Sequence, residues 1–79
     1  KIGLLDLTFN NMIDIEYNAF YSLEFDLRSL NLSYNNFEKV KWYYFQKLNG
    51  LTILILSYNK ISSLDYNSFS DLNYLIQLE

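Results

Sequence analysis

Apolar and polar positions alternate in three short segments of the chain, and each alternation is followed by an asparagine at the same place. The segments read LDLTFNNM from Leu5, LNLSYNNF from Leu30 and LILSYNKI from Leu54. Such alternation sends the leucines of each segment to one face of a short strand. The pattern therefore predicts three short strands, each followed by a turn at Asn10, Asn35 or Asn59.

Aligning these asparagines reveals a repeat of eight matched positions. Asn35 follows Asn10 by 25 residues and precedes Asn59 by 24. Repeats of this length are typical of solenoids, in which each unit buries its apolar face against its neighbours. We predict a single segment over residues 1–79, with units at about 2–26, 27–50 and 51–74 and a partial unit at 75–79. The extra residue of the first unit lies between Leu23 and Leu27, where we expect a bulge in a return loop.

The full pattern, LxxLxLxxNxLxxLxxxxFxxL, resembles the leucine-rich repeat family in its 24-residue typical subtype. The resemblance implies an α/β solenoid: a right-handed arc with short parallel strands on its concave face and irregular or 3-10 returns on its convex face. That subtype often has a proline after the fourteenth position, where this chain has Glu16, Lys41 and Asp65.

Two further columns of the repeat predict structural roles. A side-chain amide at a turn can donate two hydrogen bonds and accept others from backbone groups that no strand pairing satisfies. We therefore predict an asparagine ladder formed by Asn10, Asn35 and Asn59. Parallel strands lie about 4.8 Å apart, a spacing that suits stacked aromatic rings. Phe20, Phe45 and Phe69 are accordingly predicted to stack as a spine on the far side of the core.

The outward strand positions predict a partner-binding surface. Protein interfaces favour tyrosine, phenylalanine and arginine, and the position before each ladder asparagine is aromatic. The predicted concave binding residues are Phe9, Arg28, Tyr34, Ile53, Ile55 and Tyr58. The alternative is that the aromatic rings only cover the neighbouring strands.

Two other sequence features suggest function. The segment KWYYF contains Trp42, Tyr43 and Tyr44, which form either a lateral contact site for another chain or local packing between return loops. Asn31-Leu32-Ser33 is the one N-x-S/T tripeptide, a glycosylation signal in a secreted protein. We interpret Asn31 and Ser33 as outward-facing strand residues.

Composition argues against several classes of function. The chain has 79 residues, a net charge of −3, no cysteine and no histidine. The usual general-base and nucleophile pairings are therefore absent, and there is neither a glycine-rich phosphate loop nor a metal-ligand spacing. We predict no enzyme activity, no catalytic residue, no cofactor and no bound metal.

The absence of a basic stripe leads us to expect no nucleic-acid partner. No apolar run approaches the roughly 20 residues of a membrane span, so we expect no direct membrane insertion. The sequence does not place any two of its first acids as the carboxylate pair that general acid–base catalysis uses; these acids are Asp6, Asp14, Glu16, Glu24 and Asp26.

The resemblance implies a recognition scaffold. The 24-residue subtype is similar to Toll-type receptor ectodomains and to insect leucine-rich adhesion and immune proteins. This implies a secreted glycoprotein or receptor ectodomain, extracellular, that binds a protein ligand or co-receptor in innate immunity or cell adhesion. Apolar residues at both ends of the chain lead us to expect flanking repeats in a longer parent protein. The alternative is a cytoplasmic leucine-rich repeat scaffold that docks intracellular proteins, since the lack of cysteine fits both.

Overall fold

The computed structural model describes residues 3–23 and 25–79. Ile2, the first apolar position of the predicted repeat, lies outside the described residues, as does Lys1. Glu24, one of the scattered acids and a neighbour of the predicted bulge, also lies outside them.

The described residues form six short strands and one 3-10 turn. In chain order the strands are β1 (Leu4–Asp6), β2 (Ser29–Asn31), β3 (Lys39–Val40), β4 (Ile53–Ile55), β5 (Ser63–Leu64) and β6 (Gln77–Leu78). Four of them form a parallel sheet in the order β1-β2-β4-β6. Each strand is thus paired with the strand one repeat away, as the repeat predicts.

The register of the sheet follows the leucine pattern. Leu5 lies opposite Leu30, Leu30 opposite Leu54, and Leu54 opposite Leu78. The central leucines, Leu30 and Leu54, have no solvent exposure, whereas Leu78 at the end of the sheet is half exposed. The core is therefore best formed in the middle of the solenoid, where a repeat has neighbours on both sides.

A second, two-stranded parallel sheet pairs β3 with β5, placing Val40 opposite Leu64. Val40 is buried, but Leu64 is largely exposed. We did not predict this sheet from the sequence. Its strands have only two residues each, which is too short for an alternating pattern to be recognised.

The returns contain tight turns at the three-residue step between phenylalanine and leucine. Three backbone N–H groups each donate to the carbonyl three residues earlier: that of Leu23 at 2.9 Å, that of Leu48 at 3.3 Å and that of Leu72 at 3.2 Å. Only Tyr21–Leu23 forms a 3-10 helix among the described residues. The predicted mixture of irregular and 3-10 returns is confirmed.

The longer first return is closed differently from the other two. Leu27 N–H donates to the Leu23 carbonyl at 2.9 Å, four residues back. In the later repeats the matching bonds, from Leu51 to Leu48 and from Leu75 to Leu72, span three residues. The extra residue is accommodated here, so β1 and β2 keep their register.

Of the two neighbouring pairs in the phenylalanine column, one is stacked. The rings of Phe45 and Phe69 stack with centroids 6.1 Å apart and an interplanar angle of 11°. Phe20 lies in the same buried core, but within residues 3–23 and 25–79 no aromatic contact joins it to Phe45. The returns differ at this point: Tyr21–Leu23 forms a 3-10 helix directly after Phe20, whereas the residues after Phe45 and Phe69 form tight turns only.

Candidate partner-binding surface

An exposed column of aromatic rings lies just beyond the ends of β1, β2 and β4. Phe9 stacks on Tyr34 with centroids 4.4 Å apart, and Tyr34 stacks on Tyr58 at 4.5 Å. The interplanar angles are 11° and 8°. The rings are 72%, 44% and 71% exposed, respectively. We call these three residues the aromatic column.

All three residues of the aromatic column have a left-handed backbone. Their φ angles are 59° at Phe9, 58° at Tyr34 and 58° at Tyr58. This conformation costs about 1–2 kcal/mol for a residue with a Cβ, and bulky residues seldom adopt it. Its recurrence aims the three rings in one direction, and this feature was not predicted from the sequence.

The ladder asparagines hold these left-handed turns. Asn35 Nδ2 donates to the carbonyls of Leu32 and Ser33 at 3.0 and 3.3 Å. The two carbonyls and the amide enclose Tyr34, the residue between Ser33 and Asn35. The same bonds recur from Asn10 around Phe9 and from Asn59 around Tyr58. Each of the three amides therefore fixes the conformation of an exposed aromatic residue.

The same amides also join successive repeats. Asn35 Nδ2 donates to the Leu7 carbonyl at 3.0 Å, and Asn35 Oδ1 accepts from the backbone N–H groups of Asn10 and Met12 at 3.0 and 2.9 Å. Asn59 bonds to the second repeat in a similar way, through the Leu32 carbonyl and the Phe37 N–H. The ladder thus keeps neighbouring rings of the aromatic column in register.

Apolar side chains extend this surface across the sheet. Ile53 and Ile55 point to the side of β4 opposite Leu54 and are half-buried. In register with Ile53 are Ser29 and Gln77, while Ile55 lies opposite Asn31. Among these residues, the apolar side chains opposite the core therefore belong to β4.

Arg28 is exposed, but its guanidinium packs on the next return. Arg28 Nη1 donates to the Leu27 carbonyl at 3.2 Å. A Cβ added at Gly50 would lie 2.2 Å from this nitrogen, so the glycine leaves the space in which the guanidinium rests. Arg28 lies apart from the aromatic column, at the opposite ends of the strands.

Asn31 and Ser33 form a turn directly after β2. Asn31 Oδ1 accepts from the N–H and hydroxyl of Ser33 at 3.0 and 2.7 Å. Ser33 is buried, so the interpretation of this residue as outward-facing is wrong. Asp6 makes the same turn with Thr8. The hydrogen bond from the Thr8 backbone N–H, and to a lesser extent that from its hydroxyl, lowers the pKa of the Asp6 carboxyl.

The KWYYF segment divides between core and surface. Trp42 is half exposed and meets the edges of Tyr17 and Tyr43 at centroid distances of 6.2 and 5.4 Å. Tyr44 is instead buried and packs against Phe37. Only part of the predicted lateral site is therefore available to a partner.

Tyr44 also links two repeats through a polar contact. Its hydroxyl donates to Asp14 Oδ1 at 2.6 Å, and Lys41 Nζ lies 3.2 Å from the same oxygen. Burial, followed by the bond to Asp14, raises the pKa of Tyr44 well above its ordinary value of 10.0. The Tyr44 hydroxyl in turn lowers the pKa of Asp14, with Lys41 adding to the effect.

We expect Tyr44→Phe to remove part of the pH dependence of stability at alkaline pH. A group whose pKa is raised on folding stabilises the protein fully below its unfolded pKa and loses that contribution as pH rises towards the folded value. The urea midpoint of the parent chain should therefore fall as pH rises above about 10, and that of Tyr44→Phe should fall less. Parallel pH profiles for the two chains would contradict the prediction, and Tyr66→Phe, an exposed tyrosine, is the control.

Neither metal-binding clusters nor membrane spans occur among the described residues. Over residues 3–23 and 25–79, His, Cys, Asp and Glu form no group of three that could hold a metal ion. The same part of the chain has no helix long and apolar enough to cross a membrane.

A family model described as leucine rich repeat matches residues 26–79. The chain belongs to the leucine-rich repeat family. A solved structure, the crystal structure of a TLR13–single-stranded RNA complex, matches this leucine-rich repeat chain with a TM-score of 0.88 and 33% identity. The match covers 95% of this chain and 11% of the TLR13 chain. No curated protein sequence matches the chain.

These matches confirm the predicted solenoid and its likeness to Toll-like receptors. Leucine-rich repeat segments of this kind are protein-interaction scaffolds, and the folds of the family and of Toll-like receptors are typically non-enzymatic. The prediction that excluded a nucleic-acid partner is wrong, because the matched TLR13 structure is a complex with single-stranded RNA. The absence of a basic stripe was a poor guide, since base stacking on aromatic side chains also contributes to the binding of single strands.

Proposed function

We propose that this leucine-rich repeat chain is a recognition segment of a Toll-like receptor ectodomain, facing the extracellular space or the endosomal lumen. Its partner would bind across the aromatic column and the apolar positions of β4. The observation that supports this most directly is the stack of three exposed aromatic rings.

The exposure of these rings favours binding over simple coverage of the strands. Phe9 and Tyr58 leave more than two-thirds of their surface in solvent, so most of their area is not used for folding. The rings are also held rigidly by their stacking and by the asparagine bonds around each turn. Rigid aromatic groups lose little conformational entropy on binding and are favoured as binding hot spots.

The partner we favour is a protein ligand or co-receptor. Ile53 and Ile55 lie on the face of β4 opposite the buried Leu54, and the core of a protein interface combines such apolar groups with aromatic residues. In the full receptor, flanking repeats would extend the surface on both sides. A cytoplasmic scaffold remains the alternative context.

Single-stranded RNA is a second candidate partner. TLR13 was crystallised with single-stranded RNA, and unpaired bases are commonly recognised by stacking on aromatic side chains. In this chain the exposed rings of the aromatic column are the places where a base could make contact.

We expect the double substitution Tyr34→Ala and Tyr58→Ala to weaken partner binding at least tenfold, or about 1.4 kcal/mol. Each tyrosine is exposed, so its removal takes away contact area with little effect on the core. The test compares proteins from a secreted fraction that are retained by the parent chain and by the double variant, using quantitative mass spectrometry. A fluorescently labelled single-stranded RNA is titrated against both chains in parallel.

Tyr74→Ala is the control, because Tyr74 is 69% exposed but lies outside the aromatic column. Support would be a protein retained by the parent and by the control and lost by the double variant. Equal retention by all three chains would exclude the aromatic column as the binding surface. RNA binding that depends on these tyrosines would favour the second candidate.

Glycosylation of Asn31 stays a prediction. The turn after β2 uses only Asn31 Oδ1, and Asp6 makes the same turn without an amide nitrogen. Asn31 Nδ2 has no partner within the described residues and would be the atom that carries a sugar.

A further inference from the structure

A groove between the returns of the second and third repeats is separate from the aromatic column. It has a volume of about 270 Å³. Trp42 and Gln46 line it from the second repeat, and Tyr66, Asn67 and Asp71 line it from the third. Pockets for drug-sized ligands begin at about 300 Å³, so this groove suits one ring-sized group.

Gln46, one of the lining residues, has an unpaired polar atom. Gln46 Oε1 is buried and has no hydrogen-bond partner in the described part of the chain. Exchanging the oxygen and nitrogen of the amide would leave a buried nitrogen unpaired in the same place. A buried polar group without a partner costs about 1–3 kcal/mol. A ligand towards which the Gln46 amide turns, and with which it forms a hydrogen bond, would remove that cost.

Of the three repeats, only the second has a glutamine at this position. The matching positions are Tyr21 in the first repeat and Ser70 in the third, and both side chains are exposed. The repeat pattern therefore does not require a buried amide here. Its presence beside Trp42, the one tryptophan of the chain, distinguishes this groove from the other returns.

The charges around the groove favour a neutral ligand. Asp71 is the one charged residue in the lining, and its Oδ2 accepts from the Lys47 backbone N–H at 2.7 Å. The ammonium group of Lys47 lies 5.5 Å from the centre of the Tyr21 ring, towards the first repeat. With a carboxylate and no cation in the lining, a phosphate-bearing ligand would be repelled.

We propose that this groove binds a neutral sugar ring of a carbohydrate. The C–H groups of a pyranose carry small positive charges and pack against the negative faces of aromatic rings such as Trp42 and Tyr66. Sugar hydroxyls both donate and accept hydrogen bonds, so one hydroxyl donates to the Asp71 carboxylate. Another donates to Gln46 Oε1 once the Gln46 side chain turns towards the sugar. The Asn67 amide provides both a donor and an acceptor at the edge of the groove.

The emission of Trp42 provides a direct test, because no other tryptophan contributes to it. The parent chain is titrated with glucose, galactose, mannose and N-acetylglucosamine up to roughly 50 mM, a range that covers millimolar dissociation constants. We expect a saturable change in emission with at least one of these sugars. Tyr34→Ala/Tyr58→Ala should bind the sugar as the parent does, which separates this site from the proposed function.

Gln46→Met tests the role of the unpaired oxygen, since methionine has a similar length and no hydrogen-bonding amide. We expect sugar affinity to fall at least tenfold and the urea midpoint to stay equal or rise. Gln77→Met, at an exposed glutamine of β6, is the matched control and should bind normally. The proposal is overturned if no sugar gives a saturable change, if Gln46→Met binds as tightly as the parent, or if uridine binds more tightly than every sugar.

Discussion

Asn35→Ala should lower the free energy of unfolding by about 3 kcal/mol. The Asn35 side chain makes five hydrogen bonds, three to carbonyls and two from backbone N–H groups. Alanine would leave these backbone groups without their partner at a buried site, where each unpaired group costs about 1–3 kcal/mol before the structure relaxes. Since small domains are stable by only about 5–15 kcal/mol, the loss should be clear in a urea unfolding curve followed by circular dichroism.

Asn10→Ala and Asn59→Ala are internal controls for this prediction. Asn10 is exposed, and its side chain bonds only to the carbonyls of its own turn, so its replacement should cost about 1 kcal/mol or less. Asn59 is half-buried and bonds to the second repeat as well as to its own turn, so an intermediate loss is expected. Equal losses at all three positions would show that the bonds between repeats contribute nothing to stability.

The predicted strands were correct because they follow from the repeat itself. The spacing of Leu5, Leu30 and Leu54 determines both which residues face the core and which residues pair across the sheet. A shift of one residue would expose every leucine, so the sequence permits only one register. The tight turns between phenylalanine and leucine agree with the 3-10 returns that the resemblance implies, since three residues are one turn of a 3-10 helix.

Other features could not be predicted because they depend on three-dimensional contacts. The left-handed backbone of Phe9 is not expected for an aromatic residue, and only the bonds made by Asn10 explain it. The position of the Arg28 guanidinium depends on the space above Gly50, which is 22 residues away in sequence. The unpaired Gln46 oxygen is likewise a property of packing, with no signal in the repeat pattern.

The asparagine ladder and the aromatic column are two parts of one arrangement. Each asparagine closes the turn that contains the aromatic residue before it. The amides of Asn35 and Asn59 also bond to the preceding repeat. A substitution in the ladder should therefore disturb the surface as well as the core. For this reason the binding experiments use tyrosine variants, whose effects on folding are expected to be small.

Phe45→Ala should lower the free energy of unfolding by about 4 kcal/mol, within the range of about 3–5 kcal/mol for a phenylalanine removed from a core. Phe45 is 1% exposed, stacks on Phe69 and meets the edge of Tyr44 at a centroid distance of 6.1 Å. It belongs to the middle repeat, which has neighbours on both sides. In a solenoid, whose stability is the sum of repeats and their interfaces, the resulting cavity should weaken contacts with the third repeat most.

The measurement is a urea titration of the parent, Phe45→Ala, Phe45→Leu and Phe25→Ala, followed by circular dichroism and by Trp42 emission. Phe25 is 80% exposed, so its removal should change the midpoint very little. Leucine at position 45 keeps much of the apolar volume and loses the ring stacking, so it should cost clearly less than alanine. If Phe45→Ala were no more destabilising than Phe25→Ala, the aromatic packing between the second and third returns would not contribute to the stability of this solenoid.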